Sequence, residues 1–195
     1  MDRPTFLDEP APSEDAERVY AEDIASSGYV RNVTRLWSWR PDVYEAFFAL
    51  MPQVTSQSSL SRREVAVLVT VTAATRGDSY CSLAWGTRLS GLTDEETAAA
   101  VVAGDDSALS DREHALAEWA RQVVRDPNAN TTEDVERLRE AGLSEREIFE
   151  ATAYVALRLA LATVNDALGA CPDAELAQRA PARLREAVSF GRAPS

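Results

Sequence analysis

Four stretches of this chain spell a helix start in the same way: Ser61-Arg62-Arg63-Glu64, Thr93-Asp94-Glu95-Glu96, Ser110-Asp111-Arg112-Glu113 and Ser144-Glu145-Arg146-Glu147. A Ser or Thr that caps the third helical N–H, with a Glu reaching back to the N–H of the cap, satisfies two donors that a helix otherwise leaves open. Each stretch runs into apolar residues spaced three and four apart, and no segment alternates convincingly at the period of two that a half-buried strand needs. Helices are therefore predicted over 61–75, 79–89, 94–103, 110–124, 132–141 and 145–168. Shorter ones precede them at 13–28, closed by Gly28, at 31–39, and at 42–51 behind Pro41. The chain reads as all-α.

The boxes fall into two sets, each a Leu-Ser-x-x-Glu followed by a Gly-Leu-Ser/Thr-x-x-Glu, with Leu60 and Leu92 32 positions apart and Leu109 and Leu143 34 apart. That order suggests a duplicated helical unit, although capping boxes also recur in any helical chain. Pro4, Pro10 and Pro12 leave residues 1–12 as a loose tail, and residues 13–195 are expected to form one all-α domain.

Composition narrows the chemistry. The 20 basic residues are all Arg and face 32 Asp+Glu, a net charge of -12 that argues against nucleic acid or an anionic membrane as partner. Without Lys there is no Schiff-base lysine or Walker lysine. One His (His114, in a polar first turn and assigned no role) and two Cys (Cys81, Cys171) offer no zinc-finger spacing and no disulfide framework. No metal and no cofactor are expected. The acidic, Pro-bearing N-terminus is no signal peptide, and the apolar run 148–168 carries Glu150, Arg158, Asn165 and Asp166, so a cytoplasmic protein without a membrane span is expected.

Cys81 lies in Arg76-Gly77-Asp78-Ser79-Tyr80-Cys81-Ser82-Leu83-Ala84-Trp85-Gly86, where Gly77 ends one helix and Asp78 or Ser79 can cap the next. A first-turn position and Arg88 on the same face favour a thiolate, while Asp78 opposes it. The alternative is an inert buried thiol acting as a small hydrophobe. Glu64 is either only the closing residue of its own capping box or a proton-transfer group. Arg158, the charge within an apolar stretch, needs a carboxylate if buried; Glu64 and Asp166 are the candidate partners, with Asn165 two turns on supplying only an amide. A structural ion pair is the preferred reading, and an anionic-substrate site the other. Trp37, Trp39, Tyr44, Phe47 and Phe48 are expected to serve core or subunit packing before a ligand pocket.

Arg63-Glu64 on a helix, Ser79-Tyr80-Cys81 entering the next, and then Gly91 to Glu96, Leu109 to Glu113 and Ala141 to Ile148 resemble, over residues 61–168, the alkylhydroperoxidase D and carboxymuconolactone decarboxylase superfamily. The resemblance implies an all-α, AhpD-like helical bundle assembling as trimers or hexamers, with a helix Glu, a Cys-x-x-Cys pair and a His in its peroxidase branch. Carried over, Glu64 matches the glutamate and Cys81 the cysteine that attacks peroxide. The first-cysteine position falls on Asp78 and the histidine position on Trp85, so neither the local disulfide nor the usual proton relay can form. The resemblance thus implies a thiol-dependent peroxidase of antioxidant type with Cys81 and Glu64 catalytic, and Asp78, Tyr80, Trp85, Arg158 and Asn165 lining the site. Its small-molecule substrate would be a hydroperoxide or small organic acid. The alternatives are a cofactor-free lyase, decarboxylase or isomerase, in which Glu64 moves a proton and Arg158 holds a carboxylate, and an inactive oligomeric scaffold.

Overall fold

The computed structural model describes residues 4–195, and within them the chain forms eleven α-helices, one 3-10 turn and no strand. The organising element is α4 (Arg62–Arg76), in which every residue from Ala66 to Ala73 is buried. Five of the six residues of its Val-Leu-Val-Thr-Val-Thr core are β-branched and intrinsically poor helix formers, so packing on all sides holds it helical. Around it lie α5 (Ser79–Leu92), α6 (Glu95–Ala103), α7 (Asp111–Arg125) and α9 (Glu145–Ala167). α8 (Thr132–Glu140) covers α7, and α3 (Pro41–Ser56) packs on α9 beneath the short pair α1 (Glu14–Ser27) and α2 (Asn32–Trp37).

The capping boxes at Ser61, Ser110 and Ser144 form with both bonds present. The fourth does not: Asp94 caps α6 one residue later than Thr93, because its shorter carboxylate reaches the Thr97 N–H directly. A further box, Thr131 with Asp134, starts α8. Two departures lie at the margins. α3 continues through Pro52 to Ser56, because Met51 and Val54 pack on the core on either side of the lost hydrogen bond. Beyond the last predicted helix stand α10 (Ala174–Arg179) and α11 (Ala182–Ala187), too short to show a period. The fully buried Leu184 of α11 sits where a Cβ on Gly86 would approach within 2.6 Å, so only glycine lets α11 lie this close to α5.

Of the expected loose tail, residues 1–3 lie outside the described residues, and Pro4–Glu9 is held against the body instead. Phe6 N–H donates to Leu168 O, Cys171 N–H to Pro4 O and the Trp39 indole to Asp8 O, because main-chain groups of Pro4, Phe6 and Asp8 meet partners that proline does not remove. The aromatic group 37–48 is largely an intrachain cluster, with Trp37, Tyr44, Phe47 and Phe48 in mutual ring contact and Trp39 left exposed.

Candidate functional site

Gly77, at φ 76°, ends α4 in the left-handed region and turns the chain at once into α5, with Asp78 as cap. Asp78, 1% exposed, accepts the Cys81 N–H on Oδ1 at 2.9 Å, while its Oδ2 has no hydrogen-bond partner. The first-turn N–H expected to favour a thiolate is thus occupied by a carboxylate. From this start Cys81, Trp85 and Arg88 form one stripe of α5. Across from it Tyr154, Arg158, Leu161 and Asn165 form one stripe of α9, and Phe48, Met51 and Thr55 one stripe of α3. Between the three lies a cavity of about 300 Å³. Trp85, Arg88 and Thr55 also border a second, wider groove of about 670 Å³ along α4 and α5.

Cys81 brings a thiol to this cavity. Burial pushes its thiol well above the ordinary range; the positive charge of Arg158 opposes that rise and the negative charge of Asp78 adds to it. Arg158 Nη2 donates to Cys81 Sγ at 3.2 Å and Nη1 to Met51 Sδ at 3.7 Å. Its guanidinium carbon lies 5.1 Å from the centre of the Trp85 ring, and that of Arg88 lies 4.5 Å from the same centre. Tyr80 lines the cavity but spends its hydroxyl on Asp173. Asn165 accepts the Trp37 indole N–H at 2.9 Å and leaves its own NH₂ unpartnered. The Cys171 thiol lies against Gly169 O, and both cysteines are free.

Two expectations require correction. Arg158 makes no ion pair with Glu64, Asp166 or any other carboxylate among the described residues, because those groups are engaged elsewhere. Glu64 does not line the cavity. It closes the Ser61 box and binds Arg112, which also binds Glu147 and Gly142 O, so one arginine ties together the starts of α4, α7 and α9. Of the residues singled out in the sequence, the structure brings together Cys81, Asp78, Tyr80, Trp85, Arg158 and Asn165, and leaves Glu64 in this capping cluster. Phe48, Met51, Tyr154 and, as a cavity residue, Arg88 were missed. The i, i+4, i+7 spacing of Cys81, Trp85 and Arg88 was the available signal.

A buried guanidinium without a carboxylate has not recovered its desolvation cost. Arg158→Met is therefore expected to hold or raise stability, by about 1 kcal/mol in chemical denaturation, and a loss of about 3 kcal/mol or more would mean that a carboxylate partner exists after all. Asp166, half-buried, behaves in the opposite way from the caps: burial, then the nearby Asp78, raise its carboxyl to about 6. The native state thus holds its proton longer than the unfolded chain, so this group costs stability as pH rises from about 4 to 6. Asp166→Asn is expected to stabilise by about 1 kcal/mol at pH 7.5, after allowance for its partial exposure, and by little at pH 4, read from melting curves at both pH values.

Among the described residues no group of three His, Cys, Asp or Glu side chains is placed to hold a metal, and no helix is long and apolar enough to cross a membrane. No protein-family model matches the chain, and no curated protein does. Solved structures do match. The chain has the fold of the alkylhydroperoxidase AhpD core, in agreement with the resemblance read from its residues. A peroxidase-related protein with that core from Ralstonia eutropha JMP134 aligns over 100% of both chains at 22% identity and TM-score 0.76. A peroxidase-related protein from Silicibacter sp. TM1040 aligns over 90% of this chain and 95% of its own, at 22% identity and TM-score 0.79. The debrominase Bmp8 in complex with 2,3,4-tribromopyrrole aligns over 89% and 95%, at 18% identity and TM-score 0.72.

Proposed function

We propose that this chain is a thiol-dependent oxidoreductase of the peroxidase type in which Cys81 is the one reacting sulfur. The observation that carries the reading is the contact between Arg158 Nη2 and Cys81 Sγ at 3.2 Å, at a cavity open to a small molecule. A peroxide R–O–OH entering there loses its terminal oxygen to sulfur: the S–O bond forms as the O–O bond breaks, giving Cys81–SOH and ROH. Sulfur is oxidised by two electrons and the peroxide is reduced by two. The thiol proton ends on the departing alkoxide, completing ROH, and Arg158 balances the sulfur's negative charge as it develops. An external thiol then condenses with the sulfenic acid, releasing water, and a second one frees Cys81 as a new disulfide leaves. Cys171 takes no part.

The lyase alternative gave proton transfer to Glu64, and the position of that residue in the capping cluster lends it no support. A cytoplasmic location and assembly into trimers or hexamers belong to the same proposal; exposed Trp39, Leu50 and Phe149 are surfaces such an assembly would cover. The test is dimedone trapping under organic hydroperoxide followed by mass spectrometry. An adduct on Cys81 and none on Cys171 is expected; the absence of any Cys81 adduct would defeat the proposal.

A further inference from the structure

We infer that the Cys81 cavity is built to hold a small organic anion, one carboxylate on an apolar or aromatic body of about the size of benzoate, clamped between Arg88 and Arg158. In a chain of net charge -12, this cavity is lined by three arginines and no Asp or Glu. Arg31 is already neutralised by Asp23. Arg158 is 7% exposed, its Nε has no acceptor, and no carboxylate reaches it. Arg88 stands exposed at the rim with its guanidinium over Trp85, without an ion pair or hydrogen bond among the described residues. Two cations are thus held by one indole ring beside a sulfur. A cation–π contact recovers less than the desolvation that burying a guanidinium costs. The missing counter-charge is the ligand's.

Two further features define it. Asn165, 1% exposed on the cavity wall, keeps an NH₂ with no acceptor, a neutral donor suited to a second carboxylate oxygen. Beside Thr55, Tyr80 and Tyr154, the wall presents apolar faces from Phe48, Met51, Leu161 and the Trp85 ring, which give a planar hydrocarbon body a surface that a fully hydrated ion such as phosphate cannot use. The guanidinium fork matches a planar carboxylate. A cavity of about 300 Å³ sits at the small end of ligand sites. The inference deepens the proposed function by giving its substrate a carboxylate, and rests on it only for the reaction at sulfur.

The experiment is titration of the full chain with benzoate at low salt, read by tryptophan fluorescence and calorimetry. Saturable binding is expected, weakened about tenfold or more by the rim variant Arg88→Gln and by replacing benzoate with benzamide, which keeps the shape and removes the charge. Cys171→Ser, whose thiol lies against Gly169 O and does not line the cavity, is expected to bind benzoate within about twofold of wild type. No saturation by about 10 mM, benzamide or inorganic phosphate binding as tightly as benzoate, or an unchanged Arg88→Gln would each overturn the inference. Benzoate binding without a sulfenic adduct on Cys81 would sink the peroxidase reading and leave the anion site standing; an adduct without benzoate binding would do the reverse.

Discussion

Cys81→Ser is expected to lower thiol-dependent hydroperoxide consumption by roughly 10²-fold or more, to the uncatalysed background, while Cys171→Ser leaves it intact. The asymmetry follows from placement, since only Cys81 meets both a cavity and a guanidinium. With its thiol held well above the ordinary range, the reactive thiolate is a small fraction at neutral pH. That fraction grows about tenfold per pH unit, so the wild-type rate is expected to climb from pH 7 to 9 without a plateau. Arg158→Met removes the group that opposes the rise and is expected to slow sulfenic acid formation by about tenfold or more while the fold stays intact. A rate indifferent to pH, or a Cys81→Ser protein as active as wild type, would place the chemistry elsewhere.

Arg112→Ala is expected to cost about 3–5 kcal/mol at pH 7.5. Its guanidinium binds both Glu64 and Glu147, two buried carboxylates on different helix starts, and removing it strands both at once. Burial alone would push the Glu147 carboxyl up, but the Ser144 N–H, the Ser59 and Ser144 hydroxyls and Arg112 outweigh it and hold it at about 2. Glu64 is lowered in the same way against its own burial, by Ser61 and Arg112. Groups held low in the folded state stabilise it above their unfolded values near 4.5, and that contribution drains away as pH falls toward 2. The gap between wild type and Arg112→Ala in urea denaturation is therefore expected to narrow from about pH 4.5 downward and to close only near pH 2. Arg112→Lys keeps the charge but loses the fork and is expected to fall between the two.

The helical class, most helix starts and the site's own helix were legible in the sequence, because capping chemistry is local: Ser61, Ser110 and Ser144 each find their glutamate three residues away. Cys81 at a helix start beside Asp78 was legible for the same reason. What the sequence could not decide is which charges meet. Glu64 and Arg158 are each conspicuous and were natural partners on charge alone, yet Arg112 takes Glu64 into a cluster joining three helix starts, and Arg158 points to a sulfur and a ring instead. Such choices depend on how α3, α5, α7 and α9 are set around α4, a matter of packing between residues 48 to 107 positions apart. Backbone geometry and short-range capping wrote the helices into the chain; only their tertiary arrangement left two arginines facing a cavity without a carboxylate.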